Sequence, residues 1–241
     1  MTLDALLGYR EQLLAGALIS LELSLASLAI ALVLGLAACL AGRSPRPWLR
    51  WPANFYSTIV RGIPDLVQLF LLYYGSQYLL NYLADHFNWP PMEMNPFITG
   101  IIAIGFIFGA YMTESFRGGF DAIPKGQIEA ARAFAMKPAT IFWKIQWPQM
   151  LRYALPSIGN NWLVLMKSTA LVSIIGLKDL VFVASSASRA MQRKDIYAAF
   201  WFYGAIAVFF LLLTSLSILL LRRLERRYGL GFNPTGVAHA G

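Results

Sequence analysis

The chain has 241 residues, 58% of them hydrophobic and only 13% charged, with a mean hydropathy of +0.56. A soluble domain carries about twice that share of charge, a disordered chain is poorer in aromatics, and a single cysteine, Cys39, cannot bridge within the chain. The composition is that of a polytopic membrane protein. The net charge of +8 does not point to nucleic acid, because the basic residues fall in short stretches between long apolar runs and form no face interleaved with aromatics.

A helix needs about 20 apolar residues to cross the hydrocarbon core. Five runs qualify, at about residues 13–40, 53–80, 96–119, 153–181 and 197–221, so the expected fold is all-α, a single transmembrane domain of five helices. The first run follows fourteen residues of net charge −1 rather than a basic leader, and it reads as a span, not a cleaved signal. The second is interrupted by Arg61, Pro64, Asp65 and Gln68. The third carries Gly105 and Gly109 as a G-x-x-x-G pair, a sign of close helix packing. The fourth is interrupted by Pro156, Gly159 and Asn160-Asn161. Broken helices persist in a membrane only where protein or a wet cavity satisfies the freed backbone groups.

Charge predicts the orientation. Arg43, Arg46 and Arg50 follow the first run, Arg117 to Arg152 supply six cations around the loop after the third, and Arg222, Arg223, Arg226 and Arg227 follow the fifth. The alternate segments are poorer in Lys and Arg, apart from Lys178, Arg189, Arg193 and Lys194 between the last two runs. The positive-inside rule puts the N-terminus outside and the C-terminus in the cytoplasm.

The loop at about residues 120–150 is too polar to span and too regular to be a tether. From Lys125 to Met136 the residues predict a helix, with Lys125, Glu129 and Arg132 on a polar face and Ile128, Ala131 and Ala135 on an apolar row. Pro138 suits the first turn of a second short helix, which Trp147-Pro148 is expected to stop. Such a hairpin is either a docking surface or a surface connection between spans.

Here the residues resemble a known family. Glu129-Ala130-Ala131, a small residue at 135, Ile145 and Pro148 are similar to the cytoplasmic EAA loop of ABC importer permeases. Ile63-Pro64, Gly109-Ala110-Tyr111, Phe116-Arg117-Gly118, the segment from Ile123 to Gln127 and that from Lys167 to Ser173 resemble signatures of its polar amino-acid branch. Ser20-Leu21-Glu22-Leu23, the run from Arg61 to Val67 and Gly159-Asn160-Asn161-Trp162 resemble, within that branch, the Q-type subunits that serve histidine, lysine, arginine and ornithine.

The resemblance implies a permease subunit in the bacterial inner membrane, paired with a second, homologous permease subunit as a heterodimer. Two cytoplasmic ATPase subunits would hold ATP and Mg, and a periplasmic binding protein would deliver a polar, basic amino acid. It implies coupling through Glu129, Ala130, Ala131, Ala135, Met136, Lys137, Pro138 and Ala139, and translocation by alternating access. The family carries glycine where this chain has Ala135, and leucine where it has Trp147. Alanine in a left-handed position costs about 1 kcal/mol or more, so the bend is expected to be made by other means.

No G-x-x-x-x-G-K-[ST] loop occurs, so if ATP powers the protein another chain must hydrolyse it, and this one is not expected to be an enzyme or to carry a cofactor. Ionisable residues inside spans are candidates for function. Glu22 lies about 13 Å into the first run, where it could receive a cationic amino acid or pair with Lys167. Glu114 could line an exit path or pair with Arg117, three residues on. Asp65 could cap a helix start. Asn160 and Asn161 could satisfy broken backbone or bind substrate. His86 and His239 have no ligand-spaced neighbours, so no metal is expected. An ion-coupled secondary transporter also uses intramembrane acids, but five spans show no inverted repeat. An intramembrane enzyme would need a motif such as H-E-x-x-H or G-x-S-x-G, and the sequence has neither.

Overall fold

The Asn95 side chain accepts hydrogen bonds from the N–H groups of Phe97 and Ile98, and Pro96 occupies the first helical position. These two residues start the central helix of the bundle, α4 (Pro96–Asp121). In the computed structural model, which describes residues 7–192 and 195–227, all regular structure among the described residues is helical. Arg193, Lys194 and His239 lie outside the described residues.

Helix α1 (Arg10–Gly42) buries a stripe of small side chains at Gly16, Ser20, Ser24, Ser27, Ala31, Gly35 and Cys39. Their spacing of three and four keeps them on one face, and that face packs along α4. A Cβ added at Gly105 would lie 2.6 Å from an Ile30 side-chain carbon, and one at Gly109 only 2.5 Å from the Tyr56 hydroxyl. The G-x-x-x-G pair therefore does bring helices into close approach. Between lipid tails and side chains there is no hydrophobic gain to drive association, so this contact of small residues is what holds the core.

The second expected span divides into α2 (Pro47–Gly62) and α3 (Asp65–Phe87), bent by 112° at the break. Pro64 forces Ile63 into an extended conformation (φ −107°, ψ 138°). Gln68, read as an interruption, stitches the break: its Nε2 donates to the carbonyls of Val60 and Ile63, both at 2.7 Å. Those acceptors are carbonyls that a helix end leaves unpaired. With 23 residues, α3 is about 34 Å long, but it is apolar enough to count as a span only together with α2.

After α5 (Lys125–Ala133), the chain enters α6 (Pro138–Ile175), which changes hydrogen bonding along its length. It is α-helical over Pro138–Ile141, π-helical over Phe142–Gln146, α-helical over Trp147–Ser168 and 3₁₀ over Thr169–Ile175. Trp147-Pro148 therefore does not stop a short helix. Pro148 cannot donate to Lys144, and the wider π turn just before it absorbs the fault, with Trp147 N–H bonding to the Phe142 carbonyl. The expected break at Pro156–Asn161 is also absent, since α6 passes through it unbroken. Pro156 and Arg152, whose carbonyl loses its donor, are both exposed. The real interruption lies later, in the 3₁₀ stretch that ends at Gly176 with φ +95°.

Asp179 then caps α7 (Leu180–Met191), accepting from the Phe182 N–H at 2.9 Å. Helix α7 packs against the first half of α1 and the start of α8 (Ala198–Arg227) through Leu180, Ala184, Ala187, Ala198, Phe202 and Ile206. Gly16 lets the Asp179–Leu180 backbone approach closely. The alternation of spans gathers Arg43, Arg46, Arg50, the α5 loop and the end of α8 at one end of the bundle, called the basic end below. Lys178 and Arg189 lie at the opposite end.

Candidate functional site

At the basic end the polar side chains form a lattice between helices. Glu114 on α4 receives Arg117 at 3.2 Å and Arg61, from the end of α2, at 3.5 Å. Arg117 also donates to Asn54 Oδ1 at 3.0 Å. Arg43 pairs with Asp121, its guanidinium 5.1 Å from the centroid of the Phe120 ring. Tyr56 donates to the Phe106 carbonyl at 2.6 Å, and Tyr111 reaches Asp65 at 3.4 Å. The i,i+3 partner of Glu114 was legible in the sequence. Arg61, which ties the bent span to α4, was not, because only the packing of α2 on α4 brings it there.

A second polar group joins α4 to α6. Asn161 Nδ2 donates to Ser115 Oγ at 2.8 Å, and the Ser115 and Ser157 hydroxyls are 2.8 Å apart. Asn160, the adjacent residue, points elsewhere and borders a crevice of about 220 Å³ with Leu221, Arg222 and Glu225 of α8. Glu22 and Lys167 are both exposed on the bundle surface, and no ion pair joins them. The five candidate pathway residues thus divide: Glu114 and Asn161 are held in interhelical contacts, while Glu22, Asn160 and Lys167 are open. A charge in the middle of a span is not stable against lipid. The face carrying Glu22 therefore calls for an aqueous path or another protein surface.

The loop residues Glu129, Ala130, Ala135, Lys137, Pro138 and Ala139 are exposed, while Ala131 is buried and Met136 half-buried. Helix α5 ends in a Schellman turn. The Met136 N–H bonds to the Ala131 carbonyl at 3.1 Å and the Ala135 N–H to the Arg132 carbonyl at 2.9 Å. Ala135 takes the left-handed position at φ +53°, so the bend is made with glycine geometry by an alanine, not by other means. Sequence reading missed Phe134, which is 84% exposed at the tip of the turn. The signal was its position off the apolar row of Ile128, Ala131 and Ala135.

Among the described residues no cluster of three or more His, Cys, Asp and Glu side chains could hold a metal.

A family model described as binding-protein-dependent transport system inner membrane component matches residues 31–229. The chain is 42% identical to the histidine/lysine/arginine/ornithine transport system permease protein HisQ of Salmonella typhimurium, over 94% of this chain and 97% of that one. It is 35% identical to the arginine ABC transporter permease protein ArtQ of Escherichia coli, over 82% and 88%. A crystal structure of an amino acid ABC transporter with histidines superposes with a TM-score of 0.79 at 30% identity, covering 94% of this chain and 98% of that one.

Proposed function

The chain belongs to the binding-protein-dependent transport system inner membrane components, and from that premise we propose that it forms the substrate path of a basic amino-acid importer together with a second, homologous permease subunit. As a permease it is the membrane component of an ABC importer that works with ATPase and binding-protein partners, and ATP hydrolysis is the work of those separate ATPase subunits. In this reading there are two such ATPases, holding ATP and Mg, and the permease pair is a heterodimer. Its N-terminus is periplasmic and its C-terminus cytoplasmic, which the collection of Arg and Lys at the basic end supports.

One observation carries the coupling role: a rigid, exposed elbow at the basic end. The Schellman turn fixes the direction of the chain between α5 and α6, so force applied at Glu129–Ala139 passes directly into a 38-residue helix. Phe134 projects from that elbow as an apolar anchor of the kind that dominates binding energy at interfaces. The substrate class rests on the names of the relatives and on the exposed Glu22 anion, which suits an ammonium or guanidinium group. Glu22, Lys167 and Asn160 line or border the path, with Glu114 and Asn161 holding its wall.

The test uses the complex with its ATPase and binding-protein partners, reconstituted in vesicles. Glu129→Arg together with Phe134→Ala should release the ATPase subunits and stop uptake of labelled arginine, and the amino acid that co-purifies should be cationic by mass spectrometry. Normal ATPase retention and uptake in that variant would remove the coupling role. A neutral co-purified amino acid would remove the substrate class alone.

A further inference from the structure

Helix α2 has no place in the function above beyond its last turn. The helix is strongly amphipathic: Trp48, Trp51, Phe55 and Ile59 are exposed in spacings of three and four, so they form one stripe. Trp48 and Trp51 are 67% and 70% exposed, and the Trp51 ring stacks on Phe55 with centroids 5.4 Å apart. Arg46 and Arg50 are also exposed, and no acidic residue occurs from Leu40 to Asn54. Among the described residues Asp121 pairs with Arg43, and no salt bridge reaches Arg46 or Arg50.

The 112° bend turns α2 nearly crosswise to α3. If α3 follows the membrane normal, α2 lies along the surface, with its aromatic stripe at the depth where tryptophan is favoured. In the crook of the bend lies a groove of about 420 Å³, lined by Phe55, Ile59, Ile63, Leu71, Leu72 and Phe106. The groove is almost wholly apolar. Its one amide, Gln68, is already committed to the carbonyls of Val60 and Ile63. Arg50 lies five residues before Phe55, about 7.5 Å along the helix, so cations and groove are within the length of one lipid.

We propose that α2 and the crook of the bent span form a binding site for an anionic phospholipid. The phosphate headgroup is held by Arg46 and Arg50, and one acyl chain occupies the groove. Charge complementarity selects this occupant. A transmembrane helix of a partner subunit would fill the groove but leave two unpaired arginines beside it, whereas a lipid with a negative headgroup satisfies both halves. The bound chain would also brace the hinge at Gly62–Pro64, where α2 and α3 meet.

The experiment places the whole importer in nanodiscs with a photoactivatable phosphatidylglycerol or the matching phosphatidylcholine, both carrying the reactive group on an acyl chain. Phosphatidylglycerol should label the peptide containing Phe55–Ile63 about thirty-fold more than phosphatidylcholine, as expected for two arginines near an anionic surface. Arg46→Gln with Arg50→Gln should reduce its labelling to the phosphatidylcholine level. Leu72→Trp, which fills the groove, should reduce labelling while leaving both arginines in place. Equal labelling by the two lipids in the wild-type complex would overturn the proposal, whether or not the arginine variant assembles. So would labelling absent from the groove, with Ile59→Cys cross-linking to the second permease subunit instead.

Discussion

Glu22 and Glu114 are both carboxylates within membrane-spanning helices, and their surroundings are opposite. Glu114 is enclosed at the basic end by Arg61, Arg117 and, through Arg117, Asn54. Glu22 stands exposed on α1 with no cation brought to it. The first arrangement locks two helices, α2 and α4, and leaves no vacancy for a substrate cation. The second leaves the anion available and carries a solvation cost that only a wet path or a second protein can remove. An intramembrane charge is thus read by what satisfies it: the local pairing weighed for Glu114 is made, and the pairing of Glu22 with Lys167 is not. In the function proposed above, Glu114 is the fastener and Glu22 the available anion.

The strongest way to break this comparison is to remove the fastener. Glu114→Ala should leave Arg61 and Arg117 partly buried without a counter-charge. It should destabilise the chain by roughly 2–3 kcal/mol, less than a fully buried pair because the carboxylate is partly exposed. Thermal unfolding of the purified complex measures this, and adding Arg61→Gln should recover part of the loss. A variant of unchanged stability that loses transport would make Glu114 a path residue after all. Next in size, Glu22→Gln should lower arginine uptake about ten-fold, the worth of one charge-assisted hydrogen bond. Basal ATPase activity and unfolding temperature should stay near wild type. Parallel loss of uptake and stability would place Glu22 among the structural residues.

These tests follow a division that the sequence showed only in part. Spans one, three and five were legible because each is a single apolar run, and the role of Gly105 and Gly109 was legible because small residues at that spacing have few other uses in lipid. The second span was harder. Arg61, Pro64, Asp65 and Gln68 were visible as interruptions, but composition does not state that Gln68 stitches the break, or that α2 packs on α4 so as to set Arg61 against Glu114. The fourth misled in the other direction. Pro156 and the asparagine pair resembled a break, yet Asn161 bonds sideways to Ser115 and the helix continues. The true interruption, at Thr169–Ile175, has no proline, and only Gly176 marks its end.

Away from the lattice the expected effects shrink. Phe134→Ala removes an aromatic side chain that is almost fully exposed on the chain itself. It should weaken retention of the ATPase subunits about ten-fold without changing the unfolding temperature of the isolated permease. Asp179, at the opposite end, is a third case of the carboxylate comparison, buried to 1% exposure with no partner for Oδ2 and no ion pair among the described residues. Asp179→Asn keeps an acceptor for the Phe182 N–H and removes the charge of an unpaired buried oxygen, so the unfolding temperature should stay at or above wild type. A clear loss of stability would show that the carboxylate itself is needed there.

The smallest effect concerns the elbow. Ala135 holds a left-handed conformation that costs an L-residue about 1–2 kcal/mol and costs glycine nothing. Both Schellman hydrogen bonds are nevertheless made, so the surrounding turn already supplies the energy to hold it. Ala135→Gly removes that strain but also loosens the unfolded chain, and the two effects oppose each other. The net gain should be at most about 1 kcal/mol, seen as slower hydrogen exchange at the Ala135 and Met136 amides, with transport unchanged. Ala135→Val should go the other way, because a β-branched residue at positive φ is more strained than alanine. If glycine instead speeds exchange or uncouples ATP hydrolysis from uptake, alanine at this position stiffens the elbow for its task and is not merely tolerated there.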